Sequence, residues 1–180
     1  MRKYFIALVA IAVLTFFVGL GSPSIADSDE AFYAESAREM VESGDWLTPH
    51  FNYVYRFEKP VLYYWLAGLS YITLGVSEMA ARLPSAFAGL GLTLVVFFSA
   101  RRWYDNFTGF LAGAITATSF GYVAMARQAL PDLTLAFFIT LTTWAGLRLW
   151  VDQPLPGRPN EANPNNRNLW ILIAGLGMAG

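Results

Sequence analysis

Long stretches of this chain carry no charge at all. Uncharged runs cover Tyr4–Ala26, Pro60–Ser77, Leu83–Ala100, Asn106–Ala126, Leu133–Leu147 and Asn168–Gly180, and several approach the roughly 20 residues that cross a bilayer core as a helix. A spanning segment must satisfy its backbone groups internally, so such runs are expected to be helical. Charged residues make up 14%, against about 25% in soluble domains. A net charge of -1 gives no electrostatic basis for binding nucleic acid. The absence of cysteine rules out disulfides, thiol nucleophiles and cysteine metal sites, and a single histidine, His50, rules out a two-histidine site.

The first run follows Arg2 and Lys3 and ends in Ser24-Ile25-Ala26, which imitates a cleavage site. Its apolar stretch exceeds the roughly 7–15 residues of a signal core, so an uncleaved helix is expected. Arg2 and Lys3 then lie in the cytoplasm and Asp27 onward lies outside. The pivotal run is Val61–Ser77, which is barely long enough to span. Leu62, Trp65, Leu66, Leu69, Ile72 and Val76 recur at helical spacing, with Tyr63, Ala67, Gly68, Ser70 and Tyr71 opposite. A helix in the outer interface is expected, with a core-packed spanning helix as the alternative.

The resulting expectation is an all-α, polytopic integral membrane protein of the plasma (inner) membrane. Helix 1 covers about 4–21, an outer loop with surface helices 27–79, helix 2 about 81–100, helix 3 about 106–126 and helix 4 about 132–151. A cytoplasmic linker occupies 152–167, and a fifth helix starts at 168–180. Because the last run reads as a helix still in progress, the chain is expected to be the N-terminal part of a longer protein. On this map Asp29, Glu58, Lys59, Arg127 and Asp132 share the outer face.

Most acids of the first outer loop have an ordinary explanation. Residues 30–43 read as an amphipathic helix, with Tyr33, Ala37, Met40 and Val41 on the apolar face and Glu35, Arg38, Glu39 and Glu42 toward water. Gly44 is the expected stop. Asp27 and Glu30 have capping-box spacing, and Asp29 could itself cap the helix, which competes with a catalytic role. Lys59 in "RFEKP" suits lipid headgroups or a bound phosphate. Asp132 in "RQALPDLTLAF" suits an N-cap or an ionisable group at a membrane-helix end. Arg82 in "ARLPSA" suits lipid phosphate or a brace for the loop.

Taken in order, "SDEAFYAESAREMVESGDWLTPHFN", "RFEKPVLYYWLAGLSYITLGVSEMAARLPSAFAG" and "RQALPDLTLAFF" resemble the N-terminal part of the polyprenyl-phosphate-dependent membrane glycosyltransferases. The nearest relatives are the enzymes that add aminoarabinose to lipid A, and the protein O-mannosyltransferases are more distant. The resemblance implies a type C glycosyltransferase bundle with its site at the outer membrane face. It matches the acidic pair that supplies the essential aspartate to Asp29 with Glu30, the Glu-Lys-Pro motif to Glu58, Lys59 and Pro60, and a second acid to Asp132. It implies that Lys59 contacts the donor's lipid phosphate; Glu58, Arg127 and Tyr33 are further substrate-binding candidates on the expected outer face. Phe32 and Arg56 depart from the aminoarabinose enzymes, which carry Arg and commonly Tyr there.

The implied partners are a polyprenyl-phosphate sugar donor, a lipid, glycan or protein acceptor, and membrane lipids. Asp29 is the expected general base, Glu30 and Asp132 position it or the acceptor, and Lys59 with Arg127 neutralises the departing phosphate. Inversion is what the family implies. The carboxylates could alternatively hold Mg or Mn through oxygen ligands. A transporter or flippase is the competing class, and it would place polar groups near the midplane on interrupted helices.

Overall fold

The computed structural model describes residues 2–25, 27–55, 61–151 and 164–179. Arg56, Glu58, Lys59 and residues 152–163 of the expected linker lie outside the described residues. The chain forms two compact units, residues 1–134 and 135–180.

In the first unit, α1 (Arg2–Phe17) buries Leu8, Ala12 and Phe16, one stripe at four-residue spacing, and apart from Arg2, Lys3 and Thr15 its other residues are apolar or aromatic. α2 (Ser28–Ser43) begins at Asp27, whose Oδ1 accepts the Asp29 N–H at 3.0 Å. It stops at Gly44, whose φ of 72° lets its N–H reach the Met40 carbonyl. Two short strands follow, β1 (His50–Phe51) and β2 (Val54–Tyr55), antiparallel and in register His50 with Tyr55. This hairpin departs from the all-α expectation. Its two-residue turn, Asn52-Tyr53, has positive φ at both positions (53° and 61°), the backbone of a type I′ turn. The strain at Tyr53 is offset by a long-range bond in which its N–H donates to the Glu39 carboxylate at 3.1 Å.

α3 (Leu62–Leu74) has 13 residues and measures about 20 Å at 1.5 Å per residue, short of the roughly 30 Å hydrocarbon core. Its Tyr63, Tyr64, Ala67, Gly68 and Tyr71 are buried, while Trp65, Leu69, Ile72 and Val76 are exposed. The tyrosine face packs on α2 and on the start of α4. Tyr71 Oη donates to the Ala34 carbonyl at 3.1 Å and Tyr63 Oη to the Ala81 carbonyl at 3.2 Å. Gly68 admits the Trp46 ring, which a Cβ there would meet at 2.9 Å. The opposite face, with Trp65, Leu69 and Ile72, is apolar and exposed.

α4 (Glu78–Trp103) starts at Ser77, whose Oγ accepts the Ala80 N–H, and it ends with Arg101 and Arg102 in its last turn. Among the described residues it is the one single helix long and apolar enough to cross a membrane. α5 (Asn106–Thr118) and α6 (Phe120–Ala126) pass that test only as a pair, bent by 66°. The run expected to form one helix over about 106–126 is therefore broken at Ser119. Thr116, Thr118 and Ser119 each turn their hydroxyl onto a carbonyl four residues back, a pattern that bends helices.

Small residues let these helices approach. Gly109, Gly113 and Ala117 form one buried stripe on α5. A Cβ at Gly113 would meet Leu8 of α1 at 2.7 Å, and one at Gly109 would meet the Phe97 carbonyl of α4 at 2.8 Å. α7 (Pro131–Val151) begins in this unit. The second unit holds the rest of α7 and α8 (Pro164–Ala179). There the Trp144 and Trp170 rings meet edge to face at 4.8 Å, and the Arg148 guanidinium lies 5.1 Å from the Trp170 ring centre.

Candidate active site

The two adjacent acids at the start of α2 have opposite surroundings. Glu30 is 3% exposed and Arg82 of α4 is likewise 3% exposed. They meet two-on-two, Nε to Oε1 at 2.7 Å and Nη2 to Oε2 at 2.9 Å. Oε1 also accepts the Ala129 N–H at 2.8 Å. The remaining Arg82 nitrogen donates to the carbonyls of Leu20 at 2.9 Å and Pro23 at 2.7 Å. One buried ion pair thus ties together α2, α4, the segment after α1 and the turn before α7. Both charges are paired and hydrogen-bonded, the condition for burying them. Of the two uses open to Arg82, the structure shows the brace.

Asp29 is exposed, and its carboxylate has no partner among the described residues. Asp27, not Asp29, caps α2, so the capping explanation for Asp29 falls away. Glu30 has capping-box spacing but turns inward to Arg82 instead. Asp132 is exposed in the first turn of α7. Pro131 opens that helix, a position where the missing N–H costs nothing.

The turn that leads into Asp132 is held at three points. Arg127 Nη1 donates to the carbonyls of Thr15 at 2.9 Å and Val18 at 2.8 Å, and Nη2 to that of Gly19 at 3.1 Å. Its guanidinium thereby satisfies the C-terminal end of α1, where carbonyls lack partners and negative charge gathers. Ala129 is held by Glu30, and the Leu130 carbonyl accepts from Ser85 Oγ at 2.8 Å. Asp29 is next to Glu30 and Asp132 is three residues past Ala129, so the Glu30 bond brings both exposed acids to the same end of the unit.

The other candidates fall as follows. Tyr33 is buried, with its ring against Tyr63 at 5.8 Å and Tyr64 at 6.0 Å, so packing is its described role. Arg127 is committed to α1 through two of its nitrogens. Phe32 stacks edge to face on Phe51 of the hairpin at 4.5 Å. Glu58 and Lys59 lie outside the described residues. Glu39, expected in water, is 2% exposed and anchors the hairpin turn. No group of three His, Asp or Glu side chains suited to a metal occurs among the described residues, and Glu30 has both oxygens engaged by Arg82.

Glu39 and the breadth of the Arg82 linkage were missed from sequence. For Glu30 a signal existed: it lies on the same helical stripe as Tyr33, Ala34 and Ala37, and an acid on a buried stripe requires a cation. For Glu39 no local signal existed, because its partner is a backbone N–H 14 residues away.

The chain resembles known proteins over almost its full length. The family model described as "Dolichyl-phosphate-mannose-protein mannosyltransferase" matches residues 2–180. An uncharacterized protein of Aquifex aeolicus is 35% identical over 84% of this chain and 30% of its own length. An undecaprenyl phosphate-alpha-4-amino-4-deoxy-L-arabinose arabinosyl transferase 2 of Sodalis glossinidius is 34% identical over 74% of this chain and 24% of its own length. The crystal structure of ArnT from Cupriavidus metallidurans in the apo state matches with a TM-score of 0.83 and 29% identity, covering 98% of this chain and 32% of ArnT. The same protein bound to undecaprenyl phosphate matches with a TM-score of 0.74 and 29% identity, covering 99% of this chain and 31% of ArnT. The chain therefore spans no more than about a third of the length of these relatives. Matched from residue 2 to residue 180, it belongs to the dolichyl-phosphate-mannose-protein mannosyltransferase family.

Proposed function

We propose that the protein transfers a sugar from a polyprenyl phosphate to a lipid, glycan or protein acceptor at the outer face of the inner membrane, with inversion. Family membership and the likeness to a protein crystallised with undecaprenyl phosphate support the donor class. The observation that carries the assignment of residues is the Glu30 carboxylate, held at once by Arg82 and the Ala129 N–H. It supports a site at the end of the first unit that carries Asp29 and Asp132, both exposed and neither engaged among the described residues.

In the proposed reaction an acceptor oxygen attacks the anomeric carbon as the bond from that carbon to the phosphate oxygen breaks. The phosphate leaves with the bonding electrons, and Asp29 takes the proton of an acceptor hydroxyl. Asp132 orients the acceptor. Glu30 is a positioning residue, fixed by Arg82. Lys59, assigned through the Glu-Lys-Pro motif, offsets the charge growing on the departing phosphate. Mg or Mn, if bound, would add a Lewis acid at that phosphate, with Asp29 and Asp132 the described carboxylates open to it.

The broken pair α5–α6 is the feature a transporter would use. The run Asn106–Ala126 that contains it holds no ionisable acid, lysine, arginine or histidine, which favours the transferase. The test is transfer from labelled undecaprenyl-phosphate aminoarabinose, and from other polyprenyl-phosphate sugars, in membranes holding the full-length protein. Asp29→Asn should lower turnover by about 10²–10⁴-fold, the range of a lost general base. Unchanged transfer would overturn Asp29 as the base. Since the chain has no cysteine, a cysteine at Gln128 reports sidedness: an impermeant thiol reagent should label it from outside, and labelling only from the cytoplasm would overturn the outer-face site.

A further inference from the structure

The end of the first unit opposite Asp29 has its own chemistry. α1 has 16 residues and so separates its two ends by about 24 Å. Its last turn is bound by Arg127 near the acids, so its first turn lies at the far end. There Tyr4 sits against Phe107 at 6.0 Å and Phe110 at 5.7 Å, and Phe5 against Phe97 at 6.0 Å and Phe98 at 6.1 Å. These contacts place the start of α1 beside the end of α4 and the start of α5. Arg2, Lys3, Arg101 and Arg102, distant in sequence, therefore collect at one end.

The acid of these two segments, Asp105, is already occupied. Its Oδ1 accepts the N–H groups of Phe107 at 2.7 Å and Thr108 at 2.9 Å, and its Oδ2 accepts the Thr108 hydroxyl at 3.2 Å. Trp103 and Tyr104 beside the arginines are 63% and 73% exposed, the residue types that settle at headgroup level. From this cationic rim an exposed apolar stripe runs along α5 through Phe107, Leu111 and Ile115.

From these features we infer that this end is a binding site for an anionic phospholipid. Its phosphodiester sits among Arg2, Lys3, Arg101 and Arg102, and an acyl chain lies along Phe107, Leu111 and Ile115. A free phosphate would use the cations and leave the stripe idle, whereas a phospholipid uses both. The site is distinct from that of the proposed donor phosphate, which belongs at the Asp29 end, and it does not rest on the glycosyltransferase assignment.

The test uses the full-length protein in nanodiscs of equal phosphatidylglycerol and phosphatidylcholine, followed by native mass spectrometry. Phosphatidylglycerol should be retained over phosphatidylcholine by on the order of tenfold, since each basic residue near an anionic headgroup adds attraction. The combined variant R2Q/K3Q/R101Q/R102Q should bring the two lipids to parity, and R101K/R102K, which keeps the charge, should not. Equal retention by the wild type, preference intact in the combined variant, or full displacement by inorganic phosphate would each overturn the site. A second measurement needs no variant: phosphatidylglycerol with a headgroup photocrosslinker should attach within residues 2–4 or 101–108. Attachment confined to other segments would also overturn it.

Discussion

Glu30 and Arg82, 52 residues apart, form a buried ion pair joined at both carboxylate oxygens. Removing either partner strands a buried charge, which costs about 3–5 kcal/mol. Glu30→Ala or Arg82→Ala should therefore lower the stability of the purified full-length protein by about that amount, measured by denaturant or thermal unfolding. Asp29→Asn should leave unfolding unchanged while lowering turnover by about 10²–10⁴-fold. A Glu30→Ala variant as stable as wild type would show that the pair does not hold the fold.

Arg127 caps α1 with a planar fork that reaches three carbonyls. Hydrogen bonds to a charged group contribute about 1.5–3 kcal/mol, so Arg127→Ala should destabilise within that range. Arg127→Lys should recover only part of the loss, because an ammonium lacks the fork. Full rescue by lysine would reduce the contact to simple charge.

Two glycines on one stripe should respond unequally. A methyl at Gly109 meets backbone, the Phe97 carbonyl at 2.8 Å and the Arg101 nitrogen at 3.1 Å, whereas one at Gly113 meets the tip of the Leu8 side chain. Gly109→Ala should cost about 1–3 kcal/mol as overpacking, and Gly113→Ala should cost less because Leu8 can change rotamer. Thermal unfolding of the two variants gives the comparison, and equal loss would contradict it.

Asp105 gives a pH signature. The backbone N–H groups of Thr108 and then Phe107 hold its carboxyl below the ordinary range. A depressed value means the cap is in force above the unfolded value of about 3.9 and is lost as pH falls through the folded value. Once the intrinsic pH dependence of exchange is removed, amide protection at Phe107 and Thr108 should drop in acid. Asp105→Asn, which keeps an acceptor but does not titrate, should show no such drop.

Periodicity made α3 legible. Trp65, Leu69 and Ile72 face outward and Tyr63, Ala67, Gly68 and Tyr71 inward, because a 3.6-residue repeat separates two kinds of apolar surface as well as apolar from polar. Gly44 as a helix stop was legible for a local reason, because glycine is the residue that takes the left-handed φ found there without strain. The break at Ser119 was not, since uncharged runs are counted by hydropathy, and that measure ignores hydroxyls that bond back to the helix. Glu30 and Glu39 look like solvated acids in sequence. Their partners, Arg82, Ala129 and Tyr53, are supplied by tertiary structure.

The short turn from Arg127 to Leu130 is where a chain would ordinarily accept insertions, as surface connections do. In this protein Arg127 is fastened to α1, Ala129 to α2 and Leu130 to α4. One added residue there would move Asp132 out of step with at least one of those three helices. Homologous chains that keep the acid should therefore hold this turn to a fixed length, even where the loops around it drift.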